Sequence, residues 1–132
     1  AGLSGRLRCK MPKVHLVKSF SFDAAHSLPL APDGHKCRCV HGHGFRFELE
    51  FVGPVDPARG WFLDYHEISA LGKELTARLD HKMLNEIPGL EAGTSEVLAV
   101  WIWKEAAARL PGLTRVSVFE TASSACHYYG EE

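Results

Sequence analysis

The chain has 132 residues, enough for one domain with a core of its own and too few for two of ordinary size. Its 15 basic and 16 acidic residues leave a net charge of −1, and no run of lysine or arginine stands out, so the electrostatic footprint of a nucleic-acid binder is missing. Although 45 % of the residues are hydrophobic, no apolar run approaches the roughly 20 residues needed to span a bilayer, so neither nucleic acid nor membrane is an expected partner.

The opening AGLSGRLRCKMPK lacks the apolar h-region of a secretory signal, and a cytoplasmic location is expected by default. Residues 1–12 are expected to be an N-terminal extension or a remnant of cloning ahead of one domain over 13–132, and Met11 is a candidate natural start, which would make Ala1 to Lys10 foreign or loose. The four cysteines, Cys9, Cys37, Cys39 and Cys126, form no CxxC pair. In a reducing compartment, thiols near histidines point to metal binding or catalysis rather than disulfides.

Val14 to Phe22 alternates in the manner of a strand, with Val14, Leu16, Phe20 and Phe22 on one parity. SLPLAPDGHK follows with two prolines and a glycine, which is loop chemistry. His41 to Val52 is the clearest strand: Phe45, Phe47, Leu49 and Phe51 share a face with His41 and His43, and Arg46, Glu48 and Glu50 lie opposite. GPVDPARG reads as a turn and WFLDY as a short third strand. Asp64, with Glu67 three residues on, predicts a helix start. Ile68, Leu71, Leu75 and Leu79 then give an amphipathic face. A second helix is predicted from GTSEV, capped by Thr94 or Ser95 and stopped by Pro111-Gly112. LTRVSVFET is the last predicted strand. Three strands, two helices and a strand predict an α+β domain with a mostly antiparallel sheet and its helices on one face.

CRCVHGHGF places Cys37, Cys39, His41 and His43 on alternate positions. One metal cannot take all four from an extended strand, because at about 3.3 Å per residue Cys37 and His43 would stand roughly 20 Å apart. His41 and His43 can converge on one ion. His26, at the end of the first strand, is the natural third donor, since antiparallel pairing across the 29–40 loop carries it to their side. Three histidines and an open position are the composition of a catalytic zinc site. Cys37 remains in the loop before the strand as a candidate reactive thiol, flanked by Lys36 and Arg38. Asp80-His81 offers a second proton carrier with a carboxylate to orient it, or a histidine at a helix C-terminus.

FxAAH ending at His26, CRCVHGH, LDH at 79–81, TSEVLA at 94–99 and Glu120 in FET, in that order, resemble the 6-pyruvoyltetrahydropterin synthase family from about Lys13 to Gly130. The three-residue gap from Cys37 to His41, GHKC and GWFLDY resemble its bacterial branch, the 6-carboxy-5,6,7,8-tetrahydropterin synthases of the queuosine pathway. The resemblance implies the tunnelling fold: an antiparallel four-stranded sheet with two helices on one face, closing into a barrel in a homo-oligomer. A hexamer built as a dimer of trimers is expected, with a tetramer or another ring as alternatives.

It also implies a lyase acting on 7,8-dihydroneopterin triphosphate, with one Zn2+ per subunit on His26, His41 and His43. Cys37 is then the general base and Asp80-His81 the partner proton carrier. Glu120 becomes the pterin anchor, and Thr94, Ser95 and Glu96 contribute to pterin binding or cap their helix. Lys18, Lys36 and Arg38 are candidate triphosphate contacts. Two alternatives stay open: an enzyme that stops at 6-pyruvoyltetrahydropterin or makes a folate-pathway aldehyde, and a non-catalytic zinc-dependent pterin-binding module.

Overall fold

The structure is a computed structural model that describes residues 11–132; Cys9 and most of the expected N-terminal extension lie outside them. Four strands, β1 (Lys13–His26), β2 (His41–Pro54), β3 (Leu113–Thr121) and β4 (Ser124–Tyr128), form one antiparallel sheet in the order β1-β2-β3-β4. Two helices, α1 (Tyr65–Leu79) and α2 (Ser95–Ala107), lie between β2 and β3 in sequence. Both pack on the same face of the sheet, as expected from the sequence.

The apolar parity of β1 and β2 becomes the core. Phe22, Phe45, Phe47, Leu49 and Phe51 are buried against Ile68, Leu71 and Leu75 of α1 and Leu98 and Ile102 of α2. Burial of each such residue contributes about 1.5–3 kcal/mol. Cross-strand aromatic pairs fix the register: Phe22 stacks on Phe45 and Phe20 on Phe47, each with ring centroids 5.2 Å apart. Helix α1 sits close to the sheet because Gly72 leaves room for the Phe20 ring, which a Cβ at that position would meet.

The sequence expectation differs from the structure in two elements. WFLDY is not a strand: Asp56 N–H donates to the Trp61 carbonyl, the run joins no ladder among the described residues, and Leu63 turns into the core before Asp64 caps α1 through His66 N–H. Its Phe62 ring fills the space that Gly53 and Gly112 leave open. The fourth strand is instead β4, a short segment after a two-residue turn in which only Cys126 and Tyr128 face the core. With small and polar residues between them, Ser124–Tyr128 carries too little apolar alternation to be read as a strand in advance.

The uncovered face of the sheet carries charge. Arg115 reaches Glu50 at 2.7 Å and also contacts Glu48 and Ser117; Arg46 pairs with Glu48 at 2.7 Å, and His15 pairs with Glu50. Burial pushes the Glu48 carboxyl up, but its bonds to Arg46 and Arg115 outweigh this and hold it below the usual carboxylate range. The His15 hydrogen bond, against burial and reinforced by Arg115, holds Glu50 low as well.

Candidate metal centre and active site

β1 ends where β2 begins, so their last and first residues face each other: His26 pairs with His41 and Ala24 with His43. All three histidines therefore project on the helix-covered face, just beyond the last core ring, Phe45. Their ring centroids are 4.5 Å (His26 and His41), 5.0 Å (His26 and His43) and 5.0 Å (His41 and His43) apart. One donor nitrogen from each lies within 4.8 Å of the other two.

Each ring is aimed by the backbone around it. Nδ1 of His26 lies 2.6 Å from the Gly93 carbonyl oxygen, and Nδ1 of His41 lies 2.8 Å from the Cys39 carbonyl oxygen. A carbonyl only accepts, so each ring places a proton on Nδ1, and Nε2 is the atom that a neutral imidazole offers to a metal. The His26 ring is 1 % exposed, and its Nε2 has no hydrogen-bond partner among the described residues. A buried polar atom without a partner is costly, and a metal ion resolves that cost where three imidazoles converge. The donor set fits zinc, with backbone carbonyls orienting two of its ligands. Burial pushes the His43 imidazole below its usual range; Glu120 opposes this, and His26 and His41 reinforce it.

Gly93 is a positioning residue that the sequence reading did not find. Its φ of +74° suits glycine, and a Cβ there would collide with the Ser27 carbonyl oxygen. Asn85 ties the same loop to the end of β1, accepting from Ser27 N–H and donating to the Ser27 and Glu91 carbonyls, each at 2.9 Å. The bonds that hold His26 to Gly93 and Ser27 to Asn85 cross 58 or more residues of sequence, so no local pattern announces them.

Asp80 caps the C-terminus of α1. Its Oδ1 accepts from Asp23 N–H at 2.9 Å and its Oδ2 lies 3.2 Å from His81 Nδ1. His81 adopts a left-handed φ of +58°, and its N–H donates to the Asp23 carbonyl at 2.6 Å. The dyad is thus clamped to β1 at Asp23, whose carboxylate joins Asp80 and His81 in a second convergent group. His81 and His43 line one cleft of about 590 Å³. Gly42 and Gly44 also line it, and Gly44 carries no side chain to displace the Asp23 carboxylate.

Glu120 on β3 places Oε1 3.4 Å from His26 Nε2. Thr94 caps α2 through Val97 N–H at 3.2 Å, and Ser95 contacts Glu96 at 3.2 Å in the first turn that follows Gly93. Cys37 sits in a 3-10 turn, Lys36–Arg38, half-buried, with His35 Nδ1 accepting from its N–H at 3.0 Å. It is not part of the group of converging donors, whereas Cys39 is exposed at the end of the turn. The CRC stretch is therefore not extended, and β2 begins only at His41. Arg38 braces this loop through the Pro29 and Ala31 carbonyls.

Residues 15–131 match the model of a family described as 6-pyruvoyl tetrahydropterin synthase. The chain belongs to the 6-pyruvoyl tetrahydropterin synthase family. It is 40 % identical over 120 residues to the 6-carboxy-5,6,7,8-tetrahydropterin synthase of Synechocystis, covering 86 % of this chain and 92 % of that one. To the human 6-pyruvoyl tetrahydrobiopterin synthase it is 32 % identical, over 96 % of this chain and 97 % of that one. The Caenorhabditis elegans 6-pyruvoyl tetrahydropterin synthase structure superposes with a TM-score of 0.85 at 24 % identity, covering 93 % of this chain and 99 % of that one, which shows the shared fold.

Proposed function

We propose that the protein is a zinc-dependent lyase converting 7,8-dihydroneopterin triphosphate to 6-carboxy-5,6,7,8-tetrahydropterin, acetaldehyde and triphosphate, in queuosine biosynthesis. The observation that carries the reading is the buried, unpartnered His26 Nε2 amid the converging His41 and His43 rings. The similarity to the Synechocystis 6-carboxy-5,6,7,8-tetrahydropterin synthase supports the choice of product.

Zinc on His26, His41 and His43 would supply Lewis acidity to the hydroxyls of the substrate's C6 substituent. The rest falls to the protein's own residues. Protons on the carbons of that substituent must leave before triphosphate can, and Cys37 is the base assigned to take one. His81, held by Asp80, returns or removes the other. Elimination pairs loss of the C2′ proton with departure of triphosphate from C3′. Cleavage between C1′ and C2′ then consumes one water: C1′ stays on the pterin as the carboxyl, C2′ and C3′ leave as acetaldehyde, and the two electrons that the side chain gives up reduce the dihydropterin ring to the tetrahydro level. Glu120 accepts two N–H bonds from the guanidine-like edge of the pterin, and the Thr94–Glu96 turn supports the ring.

The alternative product, 6-pyruvoyltetrahydropterin, requires the same elimination without the cleavage, and the 32 % identity to the human protein keeps it as the competing outcome. A non-catalytic pterin module has no use for Asp80-His81, whose histidine shares the His43 cleft. A homo-oligomeric ring, such as a dimer of trimers, is supported by the paired charges on the uncovered sheet face and by the end strands β1 and β4, each with one neighbour in the sheet. A cytoplasmic location agrees with the free thiols Cys37, Cys39 and Cys126.

Metal analysis tests the reading: purified protein should carry about one zinc per subunit. Chelation should abolish triphosphate release and zinc should restore it. Turnover that survives complete metal removal would contradict it.

A further inference from the structure

His26 Nε2 and Glu120 Oε1 lie 3.4 Å apart, yet no hydrogen bond joins them. With the His26 proton on Nδ1 against the Gly93 carbonyl, Nε2 offers a lone pair. Two electron-rich atoms thus face each other where His26 is buried, an arrangement that a cation between them would make favourable. Their separation is informative. Two donors on one tetrahedral zinc, with bonds of about 2.0–2.2 Å, stand about 3.3–3.6 Å apart. Glu120 lies outside the tight group of three imidazoles and is 30 % exposed, so its carboxylate has room to turn toward the ion or away from it.

We propose that Glu120 is an exchangeable fourth ligand. In the substrate-free protein its carboxylate closes the open position of the metal held by His26, His41 and His43. A pterin ring offers that carboxylate two N–H donors, draws it off, and opens the position as the substrate arrives. The inference rests on the metal reading proposed above and adds a role for Glu120 that pterin anchoring alone does not require. The exchange would keep the ion from binding stray ligands while the site is empty.

Cobalt(II)-substituted protein tests this without turnover, through its visible spectrum. Imidazole at pH 8 is the probe, because it is neutral there and does not respond to the loss of a carboxylate charge. Half-saturation by imidazole should need about tenfold more ligand in the wild type than in Glu120→Ala or Glu120→Gln, in line with the change that loss of one supporting group makes at a metal site. Unsubstituted pterin, which has the ring edge but no C6 substituent to reach the metal, should bring the wild type to the level of the variants once saturating by fluorescence. Zinc affinity by chelator competition should fall about tenfold in Glu120→Ala. Equal imidazole affinity in wild type and variants, or wild-type resistance that saturating pterin leaves unmoved, would overturn the exchange. A wild type that takes up neither cobalt nor zinc would overturn both this inference and the metal reading.

Discussion

His26 and His41 are register partners across β1 and β2, with ring centroids 4.5 Å apart, but they stand in different surroundings. The His26 ring is buried and bonded to Gly93, while the His41 ring is half-exposed and, among the described residues, bonded only to the nearby Cys39 carbonyl. The same proposed ligand role therefore carries different structural weight.

His41→Ala should lose metal and turnover together while unfolding near the wild-type midpoint. His26→Ala should lose both and also destabilise the fold by about 1–3 kcal/mol, since it opens a cavity and strands the Gly93 carbonyl. Urea titration of metal-free protein checks the difference. Equal stability losses in the two variants would show that the Gly93 bond does not support the fold.

The two cysteines of the CRC stretch should separate cleanly. Cys37→Ala should keep its zinc and bind substrate while turnover falls about 10²–10⁴-fold, the usual cost of losing a positioned base. Cys39→Ala should stay substantially active, because that thiol is exposed at the end of the turn. Steady-state rates with parallel metal analysis decide it, and the reverse ranking would reassign the base.

Asp80→Ala should cost more than a proton carrier. Its Oδ1 holds Asp23 N–H, and its Oδ2 faces His81, whose left-handed backbone depends on the clamp to β1. We expect a turnover loss of about 10²–10⁴-fold with zinc content unchanged. His81→Gly should match it in rate but retain stability, since glycine accepts the +58° φ without strain. Thermal denaturation alongside the rate assay reads both.

Glu48 and Glu50 have carboxyls held low in the folded protein, so the folded state binds their protons less readily than the unfolded state does. Their contribution should be fully present above the unfolded value of 4.5 and fade as pH falls through the lower folded values. Urea midpoints between neutral pH and pH about 3 should fall more steeply for the wild type than for a Glu48→Gln, Glu50→Gln double variant. A variant profile as steep as the wild type would remove the uncovered-face network as a source of acid sensitivity.

Alternation makes the convergence of the three histidines legible. His41, His43 and Phe45 share a parity in the clearest strand, so a core-facing strand had to place both histidines on the covered side, and antiparallel return brought His26 to them. The WFLDY run failed for the opposite reason: five residues with a helix cap inside them can satisfy their apolar groups by turning inward, without a strand partner. β4 was silent because its apolar residues are too few. Asp23, Gly93 and Asn85 were not readable because each acts through a backbone contact to a residue far away in sequence. What local pattern carries is which face a residue takes; what holds it there is tertiary.

The central claim is tested most directly by the ratio of acetaldehyde to triphosphate released when zinc-loaded protein acts on 7,8-dihydroneopterin triphosphate, with the pterin product identified by mass spectrometry. The account predicts equimolar release and a 6-carboxytetrahydropterin. Triphosphate released without acetaldehyde, beside a 6-pyruvoyl product, would contradict it.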